Sequence, residues 1–239
     1  MNILITGASS GIGLALMREL LSKGHHVIGC SRKSNQYGCT DDEFKKIKKW
    51  DVRHDCAIGN DLFKNHTYDA VVHSAAINHL NWIVDSDQEK MNEVISTNVM
   101  GTMNLVRLVS KYRSTKRLII LSSVASTQPM RCSMAYNASK AAVDMIVKQA
   151  SREQGQTLGI VGVRPGYIEH TEMASYAKRR CHDLRHMNAD AFDRYQLQYT
   201  NTGRYPKMEE LIQTLVWLIK EAPLLAMGGS CVTVGCGQG

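Results

Sequence analysis

The sequence lacks several patterns that would place it in other classes of protein. Its seven cysteines form no Cys-x-x-Cys pair, and no spacing of histidine and cysteine is typical of a zinc site, so we expect no metal centre. The number of cysteines is odd and the chain is not small, which favours reduced thiols in a cytoplasmic protein over a disulfide framework. No apolar run approaches ~20 residues, so we expect no membrane-spanning segment.

The chain also lacks a leader pattern and a basic, aromatic-rich run. Residues 1–7 contain no basic side chain and their apolar stretch is short, so we expect no signal peptide. The net charge of +7 fits either a nucleic-acid partner or an enzyme that takes anionic ligands. Since no dense Lys/Arg run is interleaved with aromatic residues, we favour the enzyme; strongly salt-dependent binding to a random oligonucleotide would support the alternative.

No internal repeat, low-complexity tract or linker divides the 239 residues. Short apolar strands alternate with helical patterns throughout, which predicts one doubly wound α/β domain over residues 1–239. The predicted strands cover 2–6, 26–30, a stretch within 45–52 that ends at Asp51-Val52, 69–73, 116–123, 158–164 and 230–234. The predicted helices follow the turn at 7–13 and cover 88–112, 134–154 and 206–220, whereas 169–205 shows no strand and little periodicity.

A tyrosine and a lysine stand four residues apart in the predicted helix 134–154. Tyr136 and Lys140 therefore share one helix face, so the ammonium can lie beside the phenol. A nearby cation lowers the pKa of a phenol from ~10, which would let it exchange a proton near pH 7, as carbonyl or alcohol chemistry requires. The pair alone also fits an ordinary helix with one packed aromatic residue and one solvated lysine.

The first strand runs directly into a glycine-rich turn, Thr6-Gly7-Ala8-Ser9-Ser10-Gly11-Ile12-Gly13. Glycines let the backbone approach a pyrophosphate, and the following helix N-terminus offers it free N–H groups and a favourable dipole. Strand, turn and helix together predict a dinucleotide site, although a turn without a ligand remains possible.

The second strand ends in Ser31-Arg32-Lys33 and carries no acidic residue there. An acid at this point would hold the ribose hydroxyls of NAD, whereas a cation suits the 2′-phosphate of NADP. The sequence therefore predicts NADP(H), with a solvated basic loop as the alternative.

Three further groups fall near the carboxyl ends of predicted strands or on a predicted helix face. The small residues Ser74-Ala75-Ala76 follow the fourth strand and would let the backbone lie against a cofactor. Ser122-Ser123 end the fifth strand, at the edge where open α/β sheets bind ligands. Asn98 lies within an apolar helix face, where its amide must find hydrogen-bond partners.

In this order the motifs resemble the short-chain dehydrogenase/reductase family, in its compact single-domain form, over nearly the whole chain. The resemblance implies a Rossmann-like fold and a catalytic set of Asn98, Ser123, Tyr136 and Lys140. It departs from the family at His73-Ser74-Ala75-Ala76, where Asn-Asn-Ala-Gly is usual. The expected cofactor-binding residues are Gly7, Ser9, Ser10, Gly11, Ile12, Gly13, Ser31, Arg32, Lys33, Asp51, Val52, Ser74, Ala75, Ala76, Tyr136, Lys140, Pro165, Gly166, Ile168 and Thr171.

The resemblance also implies a mechanism. NADPH would give hydride to a carbonyl carbon, Tyr136 would protonate the oxygen and Ser123 would hydrogen-bond it. Lys140 would lower the pKa of the tyrosine and hold the nicotinamide ribose, while Asn98 would position a water for proton supply. No metal is required, because the hydride belongs to the cofactor. An epimerase, dehydratase or enoyl reductase would show similar motifs, and a non-catalytic dinucleotide sensor is the alternative from another class.

Residues 167–205 would form a substrate lid in this family. This segment is rich in cations and aromatic side chains, which suggests an anionic substrate or, equally, a solvated basic helix. The long helices 88–112 and 134–154 resemble those that pair between subunits, so we expect a homodimer or homotetramer. The side chains concerned are Lys178, Arg179, Arg180, Arg185, Arg194, Arg204, His182, His186, Tyr176, Phe192, Tyr195 and Tyr199.

Overall fold

The computed structural model describes residues 1–32, 40, 43, 45–54 and 57–238. Lys33, which the sequence predicts as a phosphate ligand, lies outside these residues. No helix in the described residues is long and apolar enough to cross a membrane.

The described chain is built on one parallel sheet of seven strands, which confirms the predicted fold class. The strands are β1 Asn2–Thr6, β2 His26–Ser31, β3 Ile47–Lys49, β4 Ala70–His73, β5 Arg117–Leu121, β6 Gly159–Pro165 and β7 Cys231–Val234. The strand order is β3-β2-β1-β4-β5-β6-β7, so the chain moves outward from β1 and then returns to β4 on its other side.

Helices cover both faces of the sheet, as the apolar residues on each face require. The helices are α1 Gly11–Ser22, α2 Ala57–Lys64, α3 Gln88–Ile95, α4 Gly101–Tyr112, α5 Met134–Gln154, α6 Glu172–Arg185, α7 Ala189–Leu197 and α8 Met208–Lys220. On one face Ile3 and Ile5 pack with α1 and α8, and on the other Leu4 packs with α2, α4 and α5.

Two sequence predictions about the elements need correction. The third strand ends at Lys49, and Asp51-Val52 follow it rather than closing it. The predicted helix 88–112 is continuous but changes to a π-helical turn at Ser96–Met100, which holds Asn98. Gly101 begins α4, and a Cβ there would lie 2.6 Å from the side chain of Val52, so the glycine allows close packing.

The sequence also missed two helices, α6 and α7, in the segment 169–205. Only Ala174 and Cys181 of α6 are buried, so the helix has no apolar stripe for periodicity to detect. Its start does carry a recognisable signal, because Thr171 caps the helix by accepting a hydrogen bond from the Ala174 N–H at 3.1 Å. Asn188 caps α7 in the same way.

Candidate active site

A cavity of about 460 Å³ opens at the carboxyl ends of the strands. Its wall includes Gly7 after β1, Ser31 at the end of β2, Ser74 after β4 and Ser123 after β5. The strand order reverses between β1 and β4, and a crevice at such a reversal is where open α/β sheets bind their ligands.

The glycine-rich turn forms a backbone cradle on one side of this cavity. Gly7 has φ +71°, and a Cβ there would lie 2.7 Å from the backbone nitrogen of Ala75, so only glycine fits. Gly11 has φ +53° and opens α1 toward Thr171, with 3.9 Å to the nearest atom from an added Cβ. Gly13 instead packs against the Gly7 carbonyl.

The N-terminus of α1 is left open to a ligand at this cradle. Ser10 occupies the N-cap position, but its side chain makes no capping hydrogen bond. Ser10 and Gly11 both line the cavity, so the first N–H groups of the helix and its positive dipole end face the same space. The chemistry of this donor set fits the pyrophosphate of a dinucleotide.

Two hydroxyl groups and one cation lie in the cavity wall near the end of β2. The hydroxyls of Ser9 and Ser31 lie 2.7 Å apart. Arg32 also lines the cavity, and its Nη1 lies 3.5 Å from a Glu93 carboxylate oxygen. A long, part-exposed ion pair of this kind contributes little, so Arg32 can turn toward a stronger anion.

Asp51 and Val52 differ in their position relative to the cavity. Val52 lines the cavity, whereas the carboxylate of Asp51 lies outside it and accepts hydrogen bonds from Arg53, the shortest at 2.6 Å. Burial favours the neutral form of Asp51, but the bonds from Arg53 outweigh it and hold the pKa of this carboxyl below its usual range.

Ser123 and Tyr136 meet in the cavity wall. Ser123 caps a short 3₁₀ turn, Val124–Ser126, by accepting a hydrogen bond from the Ala125 N–H at 3.1 Å. Tyr136, in the first turn of α5, lines the same cavity, and the Ser123 hydroxyl opposes the rise that burial causes in the pKa of its phenol. The two groups that a carbonyl oxygen would need, a proton donor and a hydrogen-bond donor, therefore lie side by side.

Lys140 lies one turn further along α5, also in the cavity wall. Its Nζ donates to the Leu121 carbonyl at 3.0 Å and lies 5.7 Å from the ring centroid of Tyr136. Burial lowers the pKa of Lys140 to about 8, and Asp144 opposes this shift. This geometry agrees with the prediction that the ammonium of Lys140 can lie beside the phenol of Tyr136.

The predicted lowering of the pKa of Tyr136 is wrong for this structure. Burial of the phenol raises its pKa, and the hydrogen bond from Ser123 opposes the rise without cancelling it. Desolvation is therefore the dominant effect, so Tyr136 is protonated at neutral pH.

Asn98 lies behind the cavity wall rather than in it. Its amide nitrogen donates to the Ile77 carbonyl and to the Ser139 hydroxyl, and its amide oxygen accepts from the Ile77 N–H, each at 2.9 Å. The structural hydrogen bonds expected for a polar residue in an apolar stripe are thus present. They tie the segment after β4 to the helix that carries Tyr136 and Lys140.

His73 is a packed core residue. It is 2% exposed, and its ring nitrogens lie 2.7 Å from the Thr6 hydroxyl and 3.1 Å from the Thr102 hydroxyl. Burial lowers its pKa to about 3, so the imidazole is neutral and joins β1, β4 and α4 by hydrogen bonds.

Most of the predicted site residues that the structure describes line this one cavity. Those among them that do not are Gly13, Asp51 and Asn98. Those that do are Gly7, Ser9, Ser10, Gly11, Ile12, Ser31, Arg32, Val52, Ser74, Ala75, Ala76, Ser123, Tyr136, Lys140, Pro165, Gly166, Ile168 and Thr171.

Sequence reasoning missed several residues of the wall, among them Trp50, Thr97, Met130, Arg131 and Gln196. Arg131 stands five residues before Tyr136, in the loop that leads into α5, and that position is a signal that sequence reasoning could have used. No sequence pattern marks the other four residues, because tertiary packing brings them to the cavity.

Some of the predicted lid residues are buried or form ion pairs, and others line the cavity. Phe192 is 1% exposed and packs edge-on against Tyr167, and Lys178 and Arg204 form ion pairs with Asp193 and Glu210. Of the six lid cations only Arg179 and Arg185 line the cavity. Much of the charge of this segment is therefore a paired or solvated helix surface.

Fold and site together define an α/β protein with a dinucleotide cradle beside a serine, a tyrosine and a lysine. The family model for short chain dehydrogenases matches residues 1–181. The chain therefore belongs to the short-chain dehydrogenase/reductase family, which comprises oxidoreductases that use nicotinamide dinucleotides.

Relatives and solved structures agree with this assignment. A putative ketoacyl reductase of Streptomyces coelicolor is 26% identical, over 90% of this chain and 88% of the relative. An NADPH-dependent pterin aldehyde reductase of Arabidopsis thaliana is 28% identical, over 72% and 76%. A variant of actinorhodin polyketide ketoreductase with NADPH superposes with a TM-score of 0.86 at 25% identity, covering 100% of this chain and 97% of the other.

Proposed function

We propose that this protein is an NADP(H)-dependent oxidoreductase that reduces a ketone or aldehyde, or oxidises the matching secondary alcohol. The observation that carries the proposal is the meeting of Ser123, Tyr136 and Lys140 in the same cavity as the glycine cradle. A non-catalytic sensor would not require these three groups together. When bound, a nicotinamide dinucleotide supplies the hydride chemistry, and the residues of the chain supply the proton, the hydrogen bonds and the charge around it.

Tyr136 is the proton donor in this proposal. Because its pKa is raised by burial, the phenol holds its proton at neutral pH and can give it to the oxygen of a carbonyl that is being reduced. Ser123 bonds the same phenol and can donate a hydrogen bond to that oxygen as negative charge develops.

Lys140 supplies a fixed positive charge beside the phenol. An ammonium has three N–H donors, and one of them is used on the Leu121 carbonyl. With a pKa of about 8 the group is mainly protonated at pH 7, so its other donors can hold ribose hydroxyls and its charge can stabilise a developing oxyanion. Asn98 positions this helix through Ser139, and we propose this role beside that of positioning a water for proton supply.

The preference for NADP(H) rests on Arg32, and it can be tested by charge reversal. Arg32→Glu should weaken NADPH binding at least tenfold more than NADH binding, because only NADPH carries the 2′-phosphate that an arginine would bind. Fluorescence titration with both dinucleotides measures the two affinities. Lys111→Glu, on the exposed surface of α4, is the matched charge reversal and should change neither affinity. Equal losses for NADPH and NADH in Arg32→Glu would remove the arginine from this role.

A second copy of the chain is the proposed partner, because apolar side chains are exposed along α3, the π turn and α4. Ile95, Met100 and Met103 are 38%, 47% and 45% exposed, on the long helix that resembles a pairing element of the family. Such side chains are typical of a subunit interface.

A double substitution tests the interface. Met100→Lys with Met103→Lys should shift the protein toward the monomer, because two charges would be buried unpaired. Light scattering after size exclusion measures the mass. Ile58→Lys, at a side chain that is 48% exposed on α2, is the control and should leave the mass unchanged. An unchanged oligomer in the double variant would exclude this surface.

The location proposed is the cytoplasm. The five cysteines that the structure describes are free thiols, which supports a reducing compartment.

A further inference from the structure

The cavity carries more positive charge than the proposed cofactor and catalytic roles use. Five cations line it, and Glu172 is the one acidic side chain among the described residues of its wall. Arg32 and Lys140 already have roles in the proposal above. Arg131, Arg179 and Arg185 do not, and Arg131 and Arg179 are exposed whereas Arg185 is half-buried.

Arg185 is held in a fixed orientation in the last turn of α6. Its guanidinium carbon lies 4.0 Å from the ring centroid of Tyr195 on α7, so the planar group stacks on the aromatic face. The Cys181 thiol, one turn earlier on α6, lines the same cavity, and the charge of Arg185 opposes the rise that burial causes in the pKa of this thiol. The contact with Tyr195 therefore restricts the guanidinium without neutralising its charge.

One nitrogen of this guanidinium is buried and unsatisfied. Among the described residues, no protein group forms a hydrogen bond with Nη1 of Arg185. The other half-buried lid cations differ in this respect, since Lys178 pairs with Asp193 and Arg180 bonds the Leu80 carbonyl and Asp183. A buried N–H of a cation without a partner is unfavourable, and a site that binds an anion there would compensate for it.

The position of Arg185 is coupled to the catalytic end of the cavity by the segment after β4. The Trp82 indole donates to the Leu184 carbonyl at 3.0 Å, and the Leu80 N–H donates to the Tyr176 hydroxyl at 3.2 Å. The same segment is fixed at Ile77 by Asn98. Arg185 therefore belongs to the packed wall of the site and is not a loose surface arginine.

We infer that Arg185 determines substrate specificity by binding the carboxylate of an oxo acid whose carbonyl group lies at Ser123 and Tyr136. A guanidinium of fixed plane suits a carboxylate, because two parallel N–H groups match its two oxygens. Arg131 and Arg179 at the exposed rim add positive potential that attracts such a substrate. The inference rests on the proposed function for the position of the carbonyl.

Binding of oxo acids and their methyl esters tests the inference directly. The probes are 4-oxopentanoate, 5-oxohexanoate and 6-oxoheptanoate, each with its ester, titrated calorimetrically into the NADP⁺-loaded protein. At least one acid should bind tenfold or more tightly than its ester, because the ester cannot form the charged pair. Arg185→Gln should remove this preference while NADPH affinity stays unchanged, and Arg185→Lys should retain part of it.

Arg194→Gln is the matched control, because Arg194 is an exposed lid cation that does not line the cavity. It should keep the preference for the acid. The inference is overturned if acids and esters bind alike, if no probe binds, or if Arg185→Gln keeps the preference. Acids that bind through Arg185 but are never reduced would contradict the proposed function alone, whereas reduction that does not depend on Arg185 would contradict this inference alone.

Discussion

Replacement of Tyr136 by phenylalanine is expected to reduce turnover about a thousandfold while NADPH binds as before. The substitution removes one hydroxyl from a ring that is 8% exposed, so the packing of α5 on the cavity is preserved. What is lost is the proton donor next to Ser123. Steady-state rates with NADPH and a carbonyl panel measure the effect, and fluorescence titration checks cofactor affinity.

Tyr112→Phe is the control for this prediction. Its hydroxyl donates to Asn60 at 2.8 Å on α2, away from the cavity, so the loss of that bond should leave turnover unchanged. Retained turnover in Tyr136→Phe would exclude the tyrosine as proton donor. Product analysis of the wild-type reaction separates reduction of a carbonyl from epimerisation, dehydration or enoyl reduction.

Replacement of Lys140 by methionine should lower turnover but raise the stability of the unliganded protein. Turnover should fall at least a hundredfold, because the fixed charge beside Tyr136 is lost. The unliganded protein should become more stable at pH 7, since burial of the ammonium, which lowers its pKa to about 8, opposes folding. Thermal unfolding of both proteins without cofactor should show a higher Tm for the variant by several degrees.

The stabilising effect should depend on pH in a defined direction. The pKa of Lys140 is about 8 in the folded protein against 10.5 for an unperturbed lysine. Below pH 8 both states are charged and the cost of burial, of the order of 3 kcal/mol, is fully present. Between pH 8 and 10.5 the folded protein releases its proton first, so the cost declines and disappears above 10.5.

The Tm difference between Lys140→Met and wild type should therefore be largest below pH 8 and shrink toward pH 10. Lys148→Met changes an exposed lysine on the same helix and should show neither the gain in stability nor the loss of turnover. If Lys140→Met is less stable than wild type at pH 7, the hydrogen bond from Lys140 to the Leu121 carbonyl stabilises the folded protein more than burial of the ammonium destabilises it.

The sequence predicted the sheet and the glycine-rich turn before α1 well, because both depend on local patterns. The apolar strand 2–6, the turn at Gly7 and the helix after Gly11 are contiguous, and their physical roles can be inferred from residue type and order. The spacing of Tyr136 and Lys140 similarly predicts a shared helix face, which the structure has.

Other features depend on tertiary packing and could not be predicted from spacing. The pKa of Tyr136 is raised because neighbouring segments exclude water, a balance that no local motif records. Helix α6 was missed because it buries only two side chains. Arg185 does not differ in sequence from the other lid cations, and its contact with Tyr195 comes from the packing of the next helix against it.

Isotope labelling can follow the transfer of hydride from NADPH to a carbonyl carbon. The protein would be incubated with NADPH dideuterated at nicotinamide C4 and with a panel of ketones, aldehydes and oxo acids, and the products analysed by mass spectrometry. The expected product is an alcohol with one deuterium on its carbinol carbon, formed by wild type and not by Tyr136→Phe. Tight NADPH binding with no deuterium in any product would contradict this transfer.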